Sequence, residues 1–261
     1  MERIGTIETA CRYPVKSMAG EEMDEAFVGF AGMMGDRAYA FVPTAPTTKG
    51  FPWHTGREQE TMVLYRPRYR DGKRSRLPVD VAASFAMKPG MNTEFPDSAA
   101  FAVEVTTPDG QTLPVDAPEL AAELGRQGGT PVKLRFSERG LYDCRPMSII
   151  GNASVRALGE AAGKPMDRRR FRANVYADWE GGQPYREDEL VGRVVQIGDR
   201  LRITVLERDP RCKMITLDPD TAEMDPRVLR HVAQARGGKV GVYAAVLVEG
   251  IVRKGDPILL V

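Results

Sequence analysis

Cysteine and histidine are scarce in this sequence: three cysteines (Cys11, Cys144, Cys212) and two histidines (His54, His231) in 261 residues. The cysteines stand far apart with no CxxC pair. That argues against a zinc knuckle or a disulfide framework and fits a reducing compartment. Two histidines without HExxH spacing argue against a histidine-based metal site and a Ser-His-Asp triad. No apolar run reaches the length of a membrane span, and Met1-Glu2-Arg3-Ile4 opens without an apolar signal core. A cytoplasmic protein without membrane contact is expected. An excess of charge is missing too: 37 Lys and Arg face 36 Asp and Glu, for a net charge of +1. Nothing global draws the chain to nucleic acid, so any anion site must be local. No GxGxxG opens a helix after a strand, no paired carboxylates stand out, and there is no internal repeat.

What is present suffices for a real core, since 42% of residues are hydrophobic. The first half reads as strands and turns. Residues 2–11 are rich in Ile and Thr. Phe27 to Phe30, Ala38 to Val42, Met62 to Tyr65, Val79 to Phe85 and Phe101 to Thr107 are short strand-like runs, with a hairpin turn at Asp71-Gly72 and another turn at Pro108-Asp109-Gly110. Asp116 is placed to cap a helix with Pro118 in its first turn, Leu120 and Leu124 on one face, and Gly128-Gly129 at its end. The boundary between two domains, 1–115 and 116–261, is set here. The second half offers a strand at Val132 to Phe136, a helix capped by Asn152, and strands at Phe171 to Tyr176 and Val191 to Ile197. Leu201 to Val205 follows with a period of two. A third helix opens at Asp225-Pro226, and strands at Val240 to Val248 and Ile258 to Val261 close the chain. Many short strands with about three helices predict a mainly β protein, a barrel with helical decoration.

Cys212 stands just after the amphipathic strand, among Arg208, Arg211 and Lys213. Nearby cations favour the thiolate, the form that ligates metal or attacks an electrophile. A thiol buried by chance among solvated basic residues is an equal reading of the same stretch. Tyr13-Pro14-Val15-Lys16-Ser17 breaks the first strand and offers adjacent donors suited to phosphate, or simply an exposed turn. Arg37 opens a strand and can reach a ligand or pair with Asp36. In Arg168-Arg169-Arg170-Phe171-Arg172-Ala173-Asn174, a strand would set Arg170, Arg172 and Asn174 on one face and Phe171 on the other. It could equally be a solvated basic edge. The basic stretch from Arg66 to Arg76 reads as a charged hairpin tip, and Glu187-Asp188-Glu189 as a solvated acidic loop.

Together these segments resemble one family. Tyr13-Pro14-Val15-Lys16-Ser17 followed by Gly35-Asp36-Arg37 resembles the N-terminal β-barrel domain that precedes MOSC domains. Arg145-Pro146-Met147-Ser148-Ile149-Ile150 leading to Ala153-Ser154-Val155 is similar to the opening of the MOSC domain. Phe171-Arg172-Ala173-Asn174, Arg211-Cys212, Leu217-Asp218-Pro219-Asp220-Thr221 and Gly255-Asp256-Pro257 match in order. Each motif is weak alone, and the ordered set spans nearly the whole chain. The family includes the mitochondrial amidoxime-reducing component and bacterial relatives that reduce N-hydroxylated compounds.

The resemblance implies a MOSC-type β-barrel behind an N-terminal β-rich domain. It implies a molybdenum cofactor, Mo-molybdopterin, ligated by Cys212, which is then both metal ligand and catalytic residue. Lys16, Ser17 and Arg37 would hold the pterin phosphate, and Arg172 and Asn174 would face the pterin. Arg211 adjoins the ligand, and Arg145 would add a phosphate contact. Cys144 and Arg145 fall where relatives place small hydroxyl residues, and Ala173 replaces a frequent proline. The implied reaction is reduction of N-hydroxylated small molecules, or related N-oxides and sulfoxides, by oxygen-atom transfer to molybdenum. No clustered cysteines of a ferredoxin domain follow Val261 and no anchor precedes Met1. A separate electron-donor protein of ferredoxin, flavin or cytochrome type is therefore expected. Two other readings use the same cysteine: a sulfur or cofactor carrier with a Cys212 persulfide, and a binding module without chemistry.

Overall fold

Alternation builds the longest strands. Leu201, Ile203 and Val205 are buried while Arg202 and Leu206 face out, so one face of this segment is committed to a core. The structure, a computed structural model, describes residues 1–45, 51–88, 91 and 94–261. Its first part comprises β1 (Glu2–Arg12), β2 (Glu21–Met23), β3 (Glu25–Gly29), β4 (Gly32–Met33), β5 (Tyr39–Pro43), β6 (Arg66–Tyr69), α1 (Val81–Ala86), β7 (Val103–Thr106) and β8 (Thr112–Pro114). It continues with α2 (Pro118–Gly128), β9 (Val132–Phe136), β10 (Met147–Gly151), α3 (Asn152–Ala161), β11 (Val175–Trp179) and β12 (Val194–Ile197). The last elements are β13 (Leu201–Pro210), α4 (Pro226–Arg236), β14 (Lys239–Val248), β15 (Gly250–Arg253) and β16 (Pro257–Leu260). The protein is mainly β with four α-helices among the described residues.

Seven strands close a barrel in the order β1-β11-β10-β14-β13-β12-β16, with β16 returning to β1. Ile7, Met147, Val175, Ile197, Ile203, Ala244 and Ile258 fill its interior. β1 comes from the other end of the chain. Strand pairs β1–β11, β1–β16, β3–β15 and β5–β9 all cross the expected boundary at 115/116, so the two regions share sheets. A second core, with Phe41, Met62, Tyr65, Phe101, Leu120 and Leu124, packs α2 against the small sheets of the first half. A third, with Ile150, Leu158, Phe171, Val228 and Val232, seats α3 and α4 on the barrel. No helix among the described residues is long and apolar enough to cross a membrane.

Several local expectations need correction. Val79 to Phe85 is not a strand. The Asp80 side chain accepts from Ala83 N at 2.9 Å and starts α1 instead. Met62 to Tyr65 lies largely in a 3-10 turn, Glu60–Leu64. Asp71-Gly72 does not close a hairpin, because β6 pairs with β7 (Arg66 opposite Thr106). α2 begins at Pro118 with Ala117, not Asp116, as its N-cap, and Asn152 is the first residue of α3 with Gly151 before it. Phe171 to Tyr176 is not one strand: Arg168–Phe171 form a 3-10 turn, Arg172 is left-handed, and β11 starts at Val175. The basic residues near Asp71 meet carboxylates: Arg66 with Asp220, Arg68 with Glu21, Arg70 with Glu104, Arg74 with Asp97.

Candidate functional site

One cavity of about 350 Å³ is lined by Lys16, Ser17, Arg37, Arg145, Arg172, Asn174, Arg211 and Cys212, all the residues singled out from the sequence. Five segments bring these residues to it: the turn after β1, the loops before β5, β10 and β11, and the end of β13. Four of them are bent for a physical reason. Pro14 ends β1, and the chain passes through a positive φ of 67° at Ser17. Arg37 and Arg172 hold φ of 50° and 53°. Five described non-glycine residues have positive φ, and three of them line this cavity. Such a conformation costs on the order of 1–2 kcal/mol per residue and persists where surroundings enforce it, as functional sites do. β13 breaks register against β14 between Arg208 and Pro210, and the irregularity directs Cys212 out of the ladder toward the cavity.

Asp36 is the hub. Its carboxylate accepts from Tyr13 N at 2.7 Å and from Asn174 Nδ2 at 2.9 Å, and it pairs with Arg37 Nη1. Arg37 Nη2 donates to Arg172 O at 2.9 Å. Burial works against the Arg37 charge, but the Asp36 carboxylate outweighs it and holds the guanidinium above its ordinary range. Asn174 is fully employed inside the protein: its Oδ1 accepts from Ser148 N (3.1 Å) and Ser148 Oγ (3.2 Å), and its Nδ2 also donates to Cys11 O at 3.3 Å. Arg37 and Asn174 therefore shape the cavity more than they offer free donors to it. Arg211 is largely spent, although its Nη2 meets Asp209 as an ion pair without hydrogen-bond geometry. It donates to Val240 O (2.7 Å) and Phe171 O (2.8 Å) and pairs with Asp209 at 2.8 Å. Gly241, at φ 73°, leaves it room, since a Cβ there would lie 2.9 Å from Arg211 Nη2. Arg145 is exposed and tied to Glu207 at 3.0 Å.

The donors left for a ligand are fewer. Lys16 Nζ reaches Leu141 O at 2.8 Å and Asp143 at 2.9 Å. Burial pushes its ammonium down to about 8, with Asp143 opposing and Arg37 and Arg172 assisting. Arg172 Nη1 donates to Met18 O at 2.6 Å, whereas its Nη2 is buried with no partner among the described residues. Burial and the neighbouring Arg37 charge bring Arg172 down to about 10. Arg37 and Arg172 also rest on the Tyr13 ring, at 4.7 and 4.3 Å from its centroid.

The cations around Cys212 differ from those expected. Arg208 pairs with Asp188, Arg211 with Asp209 and Lys213 with Glu60. The one that interacts with the Cys212 thiol is Arg57, from the first half of the chain, whose Nη2 also donates to Asp143 at 2.8 Å. Asp143 therefore joins Arg57 to Lys16, and these partners keep its carboxyl below the ordinary range despite burial. Cys212 is half-buried and Cys144, on the same cavity, is exposed. Arg57, Asp143, Asp36 and Tyr13 were not singled out as ligand-facing residues. The local signal is slight, a Thr-Gly-Arg turn and one aspartate, and their role depends on contacts across the chain.

Residues 136–259 match the MOSC domain family. This part of the chain is a MOSC domain. Its barrel is completed by β1, which lies outside that match. MOSC domains are associated with molybdenum cofactor binding. Among solved structures, YuaD from Bacillus subtilis is similar at 13% identity, over 98% of this chain and 95% of that one, with a TM-score of 0.49. YiiM from Geobacillus stearothermophilus (20% identity, 45% of this chain, 54% of that one, TM-score 0.36) and YiiM from Escherichia coli (20%, 45%, 54%, 0.32) are similar over less of the chain. No curated protein matches the sequence.

The MOSC site suits such a cofactor on its donor set. A phosphate needs donors that the protein has not used, and the Ser17 hydroxyl, the third N–H of Lys16 beyond those facing Leu141 O and Asp143, and the unpartnered Nη2 of Arg172 belong to residues that line one cavity. A molybdenum held by two dithiolene sulfurs takes a soft third ligand, which Cys212 offers across the same space.

Proposed function

We propose that the protein holds a molybdenum cofactor through Cys212 and reduces small N-hydroxylated compounds, or related N-oxides and sulfoxides. The observation that carries this reading is the convergence of Cys212 with Lys16, Ser17 and Arg172 on one cavity, from segments far apart in the chain. Lys16, Ser17 and Arg172 hold the phosphate. Arg37 and Asn174 act through Asp36 and the Arg172 carbonyl, fixing the backbone that aims these donors. Cys212 ligates the metal, and Arg57 stands beside it as the neighbouring cation. When bound, the cofactor supplies two-electron oxygen-atom exchange with the N–O or S–O group of the substrate. Lys16 keeps its proton below about pH 8, and a bound anion strengthens its hold. Electrons come from a separate donor protein of ferredoxin, flavin or cytochrome type.

A persulfide carrier needs only the sulfur, whereas the donors around Arg172 favour a retained phosphate-bearing group. The test is purification from a host that makes the cofactor, followed by metal analysis and benzamidoxime reduction with a chemical reductant. Bound molybdenum and turnover, both lost in Cys212→Ala, support the enzyme. A metal-free protein with a persulfide mass on Cys212 supports the carrier and overturns the reading.

A further inference from the structure

β9 turns Lys133 and Arg135 to solvent while Val132 is buried on its other face. Both cations line an open groove of about 610 Å³ together with Pro52, Trp53, Phe136 and Leu141. No carboxylate stands in that lining, and neither cation has an acidic partner among the described residues. Arg139, exposed in the loop that follows β9, has none either. Glu138, the acid beside it, lines a different cavity with Glu249. The arginines around Asp71, by contrast, each meet a carboxylate. Phe136 keeps 42% of its surface exposed although its ring packs on Tyr39 at 4.9 Å. An exposed aromatic ring among uncompensated cations is the composition of an interaction surface.

This groove backs onto the cavity that Cys212 lines. Lys16, in the wall of that cavity, donates from Nζ to Leu141 O at 2.8 Å, and its Nζ lies 5.4 Å from the ring centroid of Trp53. Leu141 and Trp53 both line the groove. Phe51 and Tyr142, from the same two stretches of chain, line the cavity. One layer of side chains therefore separates the two spaces.

We propose that the groove docks the acidic face of a redox protein, the donor that supplies electrons to the cavity behind it. Carboxylates of the partner meet Lys133, Arg135 and Arg139, and an apolar contact seats on Trp53 and Phe136. That the partner is an electron donor rests on the cofactor reading above, whereas its acidic face is argued from the groove alone. The chain as a whole is nearly neutral, so the attraction is local and fixes the orientation of the partner.

Two measurements on the full chain, purified from a cofactor-making host, test this. The probes are an acidic [2Fe–2S] ferredoxin, a flavodoxin and a soluble b-type cytochrome, each titrated calorimetrically in its oxidised form. At least one should bind, and more weakly at high salt than at low salt. Lys133→Glu combined with Arg135→Glu, surface changes that the fold tolerates, should weaken that binding about tenfold or more. Arg156→Glu combined with Arg230→Glu makes the same charge change at exposed sites on α3 and α4 and should alter it by less than about twofold. In the second measurement, benzamidoxime turnover driven by the bound donor should fall about fivefold or more in the groove variant, with dithionite-driven turnover unchanged. Binding by none of the three probes, or an equal loss in both variants, would overturn the docking surface. So would binding of a single-stranded oligonucleotide more tightly than any probe. Molybdenum and dithionite-driven turnover without donor binding remove this inference and keep the cofactor reading. Donor binding that the groove variant abolishes, in a chain that never acquires molybdenum, keeps the surface and removes the cofactor reading.

Discussion

Arg37 donates its Nη2 to the main-chain oxygen of Arg172 at 2.9 Å, and both residues hold positive φ. This bond ties a loop of the first half to the segment that leads into β11 of the barrel. Breaking it should leave the fold largely intact and loosen the wall of the cavity. Arg37→Lys, which keeps a cation beside the buried Asp36 carboxylate, is expected to lower molybdenum content at least fivefold while thermal unfolding shifts little, whereas Arg37→Met strands that carboxylate and should cost about 3–5 kcal/mol. Metal content beside calorimetry decides it, and a variant that loads normally would count against the role given to Arg37.

Ser17 separates conformation from chemistry. It holds φ of 67°, a region that favours glycine, and its hydroxyl has no protein partner among the described residues. Ser17→Gly removes the left-handed strain but loosens the unfolded chain, so stability should change by no more than about 1 kcal/mol. Cofactor retention should nevertheless fall, since the hydroxyl is gone. Unchanged retention would show that only the backbone shape at Ser17 matters.

Asn174 is a structural knot. Its amide makes four hydrogen bonds in a buried setting, to Ser148 N, Ser148 Oγ, Cys11 O and Asp36. Asn174→Ala leaves several buried partners unsatisfied and should cost about 2–4 kcal/mol in cofactor-free protein, read from denaturant unfolding. A loss of binding without a loss of stability would instead mark Asn174 as a direct ligand contact.

Lys16 gives the protein a pH signature. Burial pushes its ammonium down to about 8, whereas the unfolded chain holds that proton up to about 10.5. Between these values the unfolded state binds more protons, so stability rises with pH across that window, and below pH 8 the burial penalty is present in full. Lys16→Met should stabilise cofactor-free protein at pH 7, by on the order of 1–3 kcal/mol, with the advantage shrinking toward pH 10. Phosphate binding should weaken as pH rises through about 8 in the wild type and stay flat in Lys16→Arg. An advantage independent of pH would show that Lys16 is not held as described.

How much of this was legible in the sequence depends on the range of the interactions involved. Leu120 and Leu124 in α2, and the alternation of Leu201, Ile203 and Val205 in β13, are local patterns and read directly. Asp80 turned a strand-like run into a helix because one capping hydrogen bond outweighed the β-branched residues around it. The pairing of β1 with β11 and β16 spans most of the chain, and no local pattern encodes it. The same holds at the site. The residues themselves were readable as motifs, but the state of each charge was not. Lys213 meets Glu60 and Arg208 meets Asp188, so the cation beside Cys212 is the distant Arg57. Glu187, read as part of a solvated acidic loop, is fully buried and accepts from Gly151 N, Ser154 Oγ and Trp179 Nε1.

The most direct measurement is molybdenum per chain in protein purified from a cofactor-making host, wild type beside Cys212→Ala. About one molybdenum per wild-type chain and little or none in the variant is the expected result. Equal loading of both proteins, or none in either, would contradict ligation by Cys212.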